Sequence, residues 1–207
     1  MMRHFNIKAF LCIIVPLSIF LWVLIIFLTE LGVDPVWNAI RKIPTVITID
    51  SGIWLFFAKW AWKWRVFQGW LVPFPVIEGT WKGFMKSTWI DPTTGNALPP
   101  IPFTLVIRQS FLNINCSIYT KESRSISYSA DILVDKETKR KQLVYHYTNR
   151  PRASVRDRSE IHDGTVLLNI IGEKPKEMKG EYWTSRKTTG DIEIEFVSKE
   201  PQEKFLE

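Results

Sequence analysis

The chain has 207 residues, a net charge of +6 and a 46% share of hydrophobic residues. The basic excess is local: residues 1–77 hold seven Lys/Arg against three Asp/Glu, whereas residues 78–207 hold twenty against eighteen, which argues against a DNA-coating role. Two cysteines, Cys12 and Cys116, with no CxxC and no His/Cys cluster, argue against a disulfide framework and a metal site, and no cofactor is expected.

Residues 9–28, AFLCIIVPLSIFLWVLIIFL, carry no charge. As a helix they span roughly 30 Å, the thickness of a bilayer's hydrocarbon core. Arg3, His4 and Lys8 precede them and Thr29-Glu30 end them. A cleaved signal peptide is the rival reading, but the run is long and ends without a small-residue cleavage site. A retained transmembrane helix is expected. Pro16 is tolerable there, because neighbours and Ser18 can satisfy freed backbone groups.

Residues 31–42 read as a short polar connection with Asp34-Pro35 as a turn signal. Residues 43–62 read as a second helix. Asp50 stands near its middle, where a charged group costs about 2.5–3.5 kcal/mol on insertion scales. Trp54, Trp60, Trp62, Trp64 and Trp70, with Lys59, Lys63 and Arg65 among them, resemble an interfacial belt. An amphipathic helix lying on the membrane surface is the alternative. The expectation is a hairpin over residues 1–71, with Asp50 as a candidate for helix–helix association. Basic residues at its outer ends put both termini in the cytoplasm.

Residues 72–77 form a proline-stiffened linker. Beyond it the pattern turns to period two. Strands are expected at residues 79–89, 103–109, 111–119, 124–134, 142–149, 165–171, 178–186 and 191–198. In the last of these, Ile192, Ile194 and Phe196 alternate with acidic residues, as on a strand with one buried face. Residues 150–162, with four arginines and no periodicity, read as a loop, and residues 199–207 as a polar tail. Asn115-Cys116-Ser117 matches a glycosylation sequon, best read as chance. Eight short strands over residues 78–198 imply an all-β domain, a compact eight-stranded antiparallel β-barrel in preference to a sandwich.

No catalytic motif is present, and His162 before Asp163-Gly164 reads as part of a turn leading into a strand. An enzyme is not expected. Alternation places Tyr182, Thr184 and Arg186 on one face beside a Gly-containing hairpin, a row of ring, hydroxyl and guanidinium suited to a planar anionic ligand. An ordinary outward polar face is the alternative.

Four stretches then occur in one order: Trp81-Lys82-Gly83, Tyr145-His146-Tyr147-Thr148-Asn149-Arg150-Pro151, His162-Asp163-Gly164 and residues 180–192. With the N-terminal hairpin, this order resembles the two-transmembrane, β-strand-rich effectors of bacterial cyclic-oligonucleotide anti-phage signalling (CBASS). The resemblance implies a minimal barrel that binds a cyclic dinucleotide made by a partner nucleotidyltransferase. It further implies self-association of the membrane helices, disruption of the inner membrane and arrest of growth. Candidate ligand residues are Trp81, Tyr145, Tyr147, Asn149, Tyr182, Thr184 and Arg186, which supply aromatic faces and donors for bases and phosphates. A membrane-tethered lipid-binding barrel and a constitutive membrane-damaging toxin are the other readings.

Overall fold

The computed structural model describes residues 5–29, 35–135, 137–172 and 174–206. The basic flank at Arg3 and His4, the helix end at Glu30 and the turn expected at Asp34 lie outside them. The chain divides into two compact units, Phe5–Pro73 and a second that begins at Phe74.

The first unit is helical. Helix α1 (Ile7–Leu28) starts at Asn6, whose Oδ1 accepts from the Ala9 backbone N–H at 3.2 Å. It is the one helix among the described residues long and apolar enough to cross a membrane. Helix α2 (Pro35–Arg41) occupies the stretch expected to be a polar connection. Pro35 at its start supplies a helical φ, and the Trp22 indole N–H of α1 donates to the Ala39 carbonyl at 3.0 Å. Seven residues are too few for a periodic signal.

Helix α3 (Ile43–Lys59) ends three residues short of the expected limit and passes into 3-10 turns at Ala61–Lys63 and Arg65–Phe67. Trp62 is fully buried, so it leaves the expected belt, while Trp60, Trp64 and Trp70 are exposed. Facing helices α1 and α3 share a polar contact: the Ser18 hydroxyl lies 2.7 Å from Asp50 Oδ2 and 2.7 Å from the Ile14 carbonyl. Asp50 Oδ1 is buried with no hydrogen-bond partner among the described residues. Phe5, Phe10, Trp54 and Phe57 pack together at the base of this pair, with ring centroids 5.0–6.4 Å apart.

The second unit is a closed antiparallel barrel in sequential order. Its strands are β1 (Gly79–Ser87), β2 (Ile101–Gln109), β3 (Ile114–Tyr119), β4 (Ser123–Val134), β5 (Lys141–Pro151), β6 (His162–Ile170), β7 (Glu177–Thr184) and β8 (Thr189–Ser198). Pairing of β1 with β8 completes the wall. Alternate residues point inward, and Phe103, Leu105, Ile107, Leu143, Val166, Leu168, Met178, Ile192 and Ile194 form the core. Phe196 continues the inward row but is 36% exposed; its ring stands edge-on to Trp81 at 5.2 Å.

Strand β4 breaks the alternation. Ser125 and Ser127 are buried before Tyr128, Ile132 after it, because Tyr128 is the extra residue of a β-bulge. The bulge reverses the parity and keeps both halves facing the core. One end of the barrel is closed by its own approach segment. Gln109 accepts from the Ile77 N–H (2.8 Å) and donates to the Pro75 carbonyl (3.0 Å), and the Trp81 indole N–H donates to the Ile77 carbonyl (3.1 Å).

Residues 199–206, within the stretch read as a polar tail, lie as a strap along the outer wall. The Thr80 hydroxyl donates to the Glu200 carbonyl (2.6 Å) and accepts from the Gln202 N–H (2.9 Å). Thr104 Oγ1 accepts from the Leu206 N–H (3.0 Å), and Arg108 pairs with Glu203 (2.6 Å). The outward-facing Thr80 and Thr104 are thereby buried. Thr80→Val keeps the shape but removes both hydroxyl bonds, each worth about 0.5–1.5 kcal/mol net. Hydrogen exchange should show faster exchange across residues 199–206 in this variant, with the barrel strands protected as before.

Candidate functional site

Antiparallel order brings four connections to the other end of the barrel: β1–β2, β3–β4, β5–β6 and β7–β8. The strand ends beneath them enclose a cavity of about 480 Å³. Tyr147, Asn149, Tyr182, Thr184 and Arg186 all line it.

Tyr147 and Tyr182 occupy inward positions on β5 and β7. Each faces a glycine on the next strand: Gly164 stands opposite Tyr147, and Gly190 opposite Tyr182. A Cβ on Gly164 would sit 2.5 Å from Tyr147 Cζ and Oη, and one on Gly190 2.6 Å from Tyr182 Cε1. The rings therefore rest against the wall in space that any other residue would fill. Burial pushes the Tyr147 phenol up to about 12, Tyr182 adds to this, and Arg186 opposes it. At neutral pH Tyr147 thus carries its proton.

On β5 itself, two residues beyond Tyr147, Asn149 Oδ1 accepts from the Ser125 hydroxyl of the neighbouring β4 at 2.9 Å. This bond orients the carboxamide and leaves its NH₂ group as a donor. Arg186 is not on the face of β7, as alternation suggested, because β7 ends at Thr184. It lies in the hairpin that follows, closed by Thr184 N–H to the Thr188 carbonyl (2.9 Å) and by the paired hydroxyls of the two threonines (2.6 Å). The left-handed position in that turn belongs to Lys187, with φ 63°, and not to a glycine.

Two further nitrogen-bearing side chains were not foreseen as ligand residues. Arg158, from the arginine-rich connection between β5 and β6, lines the cavity and pairs with Glu122 at 2.6 Å. His162, the first residue of β6, faces inward beside Asn149. Its Nδ1 lies 2.9 Å from the Glu160 carbonyl, and since a carbonyl only accepts, Nδ1 carries a proton. Burial lowers the His162 pKa and Arg186 lowers it further, against the Glu160 carbonyl and Asp163. The signal for both residues was topological: the connection after β5 must return to the same end as the β7–β8 hairpin.

Trp81 and Tyr145 do not line this cavity. Trp81 is buried toward the closed end, with its N–H bonded to Ile77. Tyr145 lies one inward position below Tyr147, with ring centroids 6.1 Å apart. Its hydroxyl is buried without a hydrogen-bond partner among the described residues, and burial raises its pKa well above the ordinary phenol value. Burial also raises the Cys116 thiol, so it is an inert part of the core.

A larger groove of about 1060 Å³ runs past Lys82, Phe84, Lys179 and Phe205. Its cations Lys82, Lys121, Arg158 and Lys179 are matched by Glu122, Glu177, Glu193 and Glu195. The mouth instead sets Arg158 and Arg186 against Glu122 alone. Charge therefore selects the mouth for an anion, and its two tyrosine rings suit flat groups.

Residues 72–195 match the model of the Cap15 cyclic dinucleotide receptor domain. Two relatives, each called CD-NTase-associated protein 15, are similar along most of their length. The protein from Staphylococcus schleiferi is 29% identical over 164 residues, which cover 77% of this chain and 82% of the relative. The protein from Escherichia albertii is 29% identical over 197 residues, covering 91% and 93%. With its eight-stranded barrel matched almost from end to end, the chain belongs to the Cap15 family of CBASS effectors and carries that family's cyclic dinucleotide receptor domain.

Proposed function

We propose that the barrel mouth binds a cyclic dinucleotide in the bacterial cytosol, and that occupancy drives the helical hairpins to associate and damage the inner membrane. The observation that carries the binding step is one cavity holding two tyrosine rings, two guanidinium groups and the Asn149 amide. A cyclic dinucleotide offers two bases to stack and two phosphates to bond. Its source would be a partner nucleotidyltransferase, and no chemical step is assigned to this chain. A lipid ligand fits less well, since its tail would desolvate Arg186 and Asn149 without pairing them.

The membrane step rests on the helical unit. Phe20, Phe27 and Leu28 of α1 are exposed, Phe27 by 79%, as suits a lipid-facing surface. Helix α3 has 17 residues, about 25 Å at 1.5 Å per residue, so it would cross only with Lys42 and Lys59 reaching outward to the headgroups. Both termini then face the cytoplasm, where the ligand is made. Asp50 Oδ1, buried without a partner among the described residues, is an acceptor suited to a donor from a second hairpin.

Three outcomes follow from this reading. Arg186→Ala should weaken binding about ten- to a hundredfold in calorimetry, the loss of a charge-assisted hydrogen bond of about 1.5–3 kcal/mol, while the barrel stays folded by circular dichroism. Unchanged affinity would return Arg186 to solvent. Gly164→Ala should displace the Tyr147 ring and lower affinity with little change in thermal stability; a substantial fall in melting temperature with normal binding at low temperature would assign Gly164 to the fold alone. In cells, the full chain should depolarise the membrane and crosslink into oligomers only alongside the nucleotidyltransferase, and Asp50→Leu should insert normally yet crosslink less. Depolarisation without any nucleotidyltransferase would identify a constitutive toxin.

A further inference from the structure

We propose that His162 is a ligand-binding residue that takes up a proton when an anionic ligand enters the mouth, so that the site binds more tightly as pH falls. The inference rests on the cyclic-dinucleotide reading of the same cavity and assigns that site a proton linkage.

Three observations place His162 in the binding set. It is at an inward register position on β6, opposite Asn149, and lines the cavity with Tyr147, Tyr182 and Arg186. Its Nδ1 proton is committed to the Glu160 carbonyl at 2.9 Å. No partner is bonded to its Nε2 among the described residues. In the neutral ring, Nε2 presents a lone pair, which repels a phosphate oxygen. A second proton turns the same atom into a cationic donor.

The surrounding charges set the direction. Arg186 from the β7–β8 hairpin and Arg158 from the β5–β6 connection are cationic neighbours in the cavity, Arg158 already paired with Glu122. Asp163 and Glu160 flank the ring on its own segment. Burial, with help from Arg186, keeps His162 neutral at pH 7 in the free protein, since its pKa lies below the ordinary value. A phosphate beside Arg186 replaces repulsion between two cations by attraction of both to one anion. The imidazolium is therefore favoured in the complex, and the bound-state pKa exceeds the free-state one.

Affinity then rises as pH falls through the bound-state value and levels off below the free-state value. Tyr147, held near 12, does not titrate in this range, and phosphodiesters ionise far below it. Where the medium is more acidic than the cytosol, membrane damage would admit protons and strengthen the binding that caused it.

The test is calorimetry on the full chain in detergent, with a panel of 3′,3′-linked cyclic dinucleotides bearing the four RNA bases, between pH 6 and 8. The tightest binder should gain about three- to tenfold in affinity at the acidic end, up to one decade per unit of pKa difference. Repeating the titration in buffers of different ionisation enthalpy should show net proton uptake near pH 7. His162→Asn, which can keep the Glu160 bond, and His162→Gln should both fold, bind more weakly at pH 6 and lose the slope and the uptake. A pH-independent affinity in the native chain, or a slope that survives in both variants, would overturn the proposal while leaving cyclic-dinucleotide binding intact. If no member of the panel binds at any pH, the reading of the site fails and the proton linkage with it.

Discussion

Everything in the second unit depends on the pairing of β1 with β8. An open eight-stranded sheet would expose two rows of unpaired backbone groups, an invitation to strand addition. Closure removes both rows and creates an inside. The register from Ser87 opposite Gly190 to Thr80 opposite Ser198 is therefore the seam on which core and site both rest. It closes over a shift at Thr80/Trp81, where Trp81 packs edge-on to Phe196.

The interior is divided by what fills it. Toward one end, Trp81, Ile77 and Gln109 tie the approach segment to the strands and fill the interior with buried side chains. Toward the other, serine, glycine and asparagine stand where large apolar groups would otherwise meet. Ser125, Asn149, Gly164 and Gly190 are all at inward positions near the mouth. A barrel of eight strands is just wide enough to be packed with side chains. Thinning them at one end is how such a narrow barrel acquires a cavity without widening its wall.

Much of this was legible in the residues because the period-two signal is strong where one face is buried. Leu143-Tyr145-Tyr147 and Ile192-Ile194 are examples, and eight such runs sufficed for a barrel. The candidates Tyr147, Asn149, Tyr182, Thr184 and Arg186 also converge in one cavity. Misreadings arose where local pattern meets tertiary constraint. Arg186 left the strand expected to run to residue 186, because β7 ends at Thr184 and the chain turns through Lys187. Trp81 and Tyr145 are of the right chemical type but sit too deep, and depth along a barrel axis has no one-dimensional signature. Arg158 and His162 lay in a segment without periodicity, where only the three-dimensional return of the chain reveals a neighbour. The strap was invisible for a similar reason. Its backbone groups at Glu200, Gln202 and Leu206 bind Thr80 and Thr104, more than a hundred residues earlier.

That strap joins residues 199–206 to the first two strands of the barrel, just as the seam joins β8 to β1. The ribosome delivers them in the opposite order, helices first and strap last. While the N-terminal helices have already emerged, the barrel wall is still incomplete. The seam cannot form until β8 has been made, nor the cover over Thr80 and Thr104 until residues 199–206 follow it. A message broken before β8 yields helices without a closed barrel, and so without a finished mouth. Synthesis of β8 is thus a condition for forming the mouth, imposed by connectivity alone.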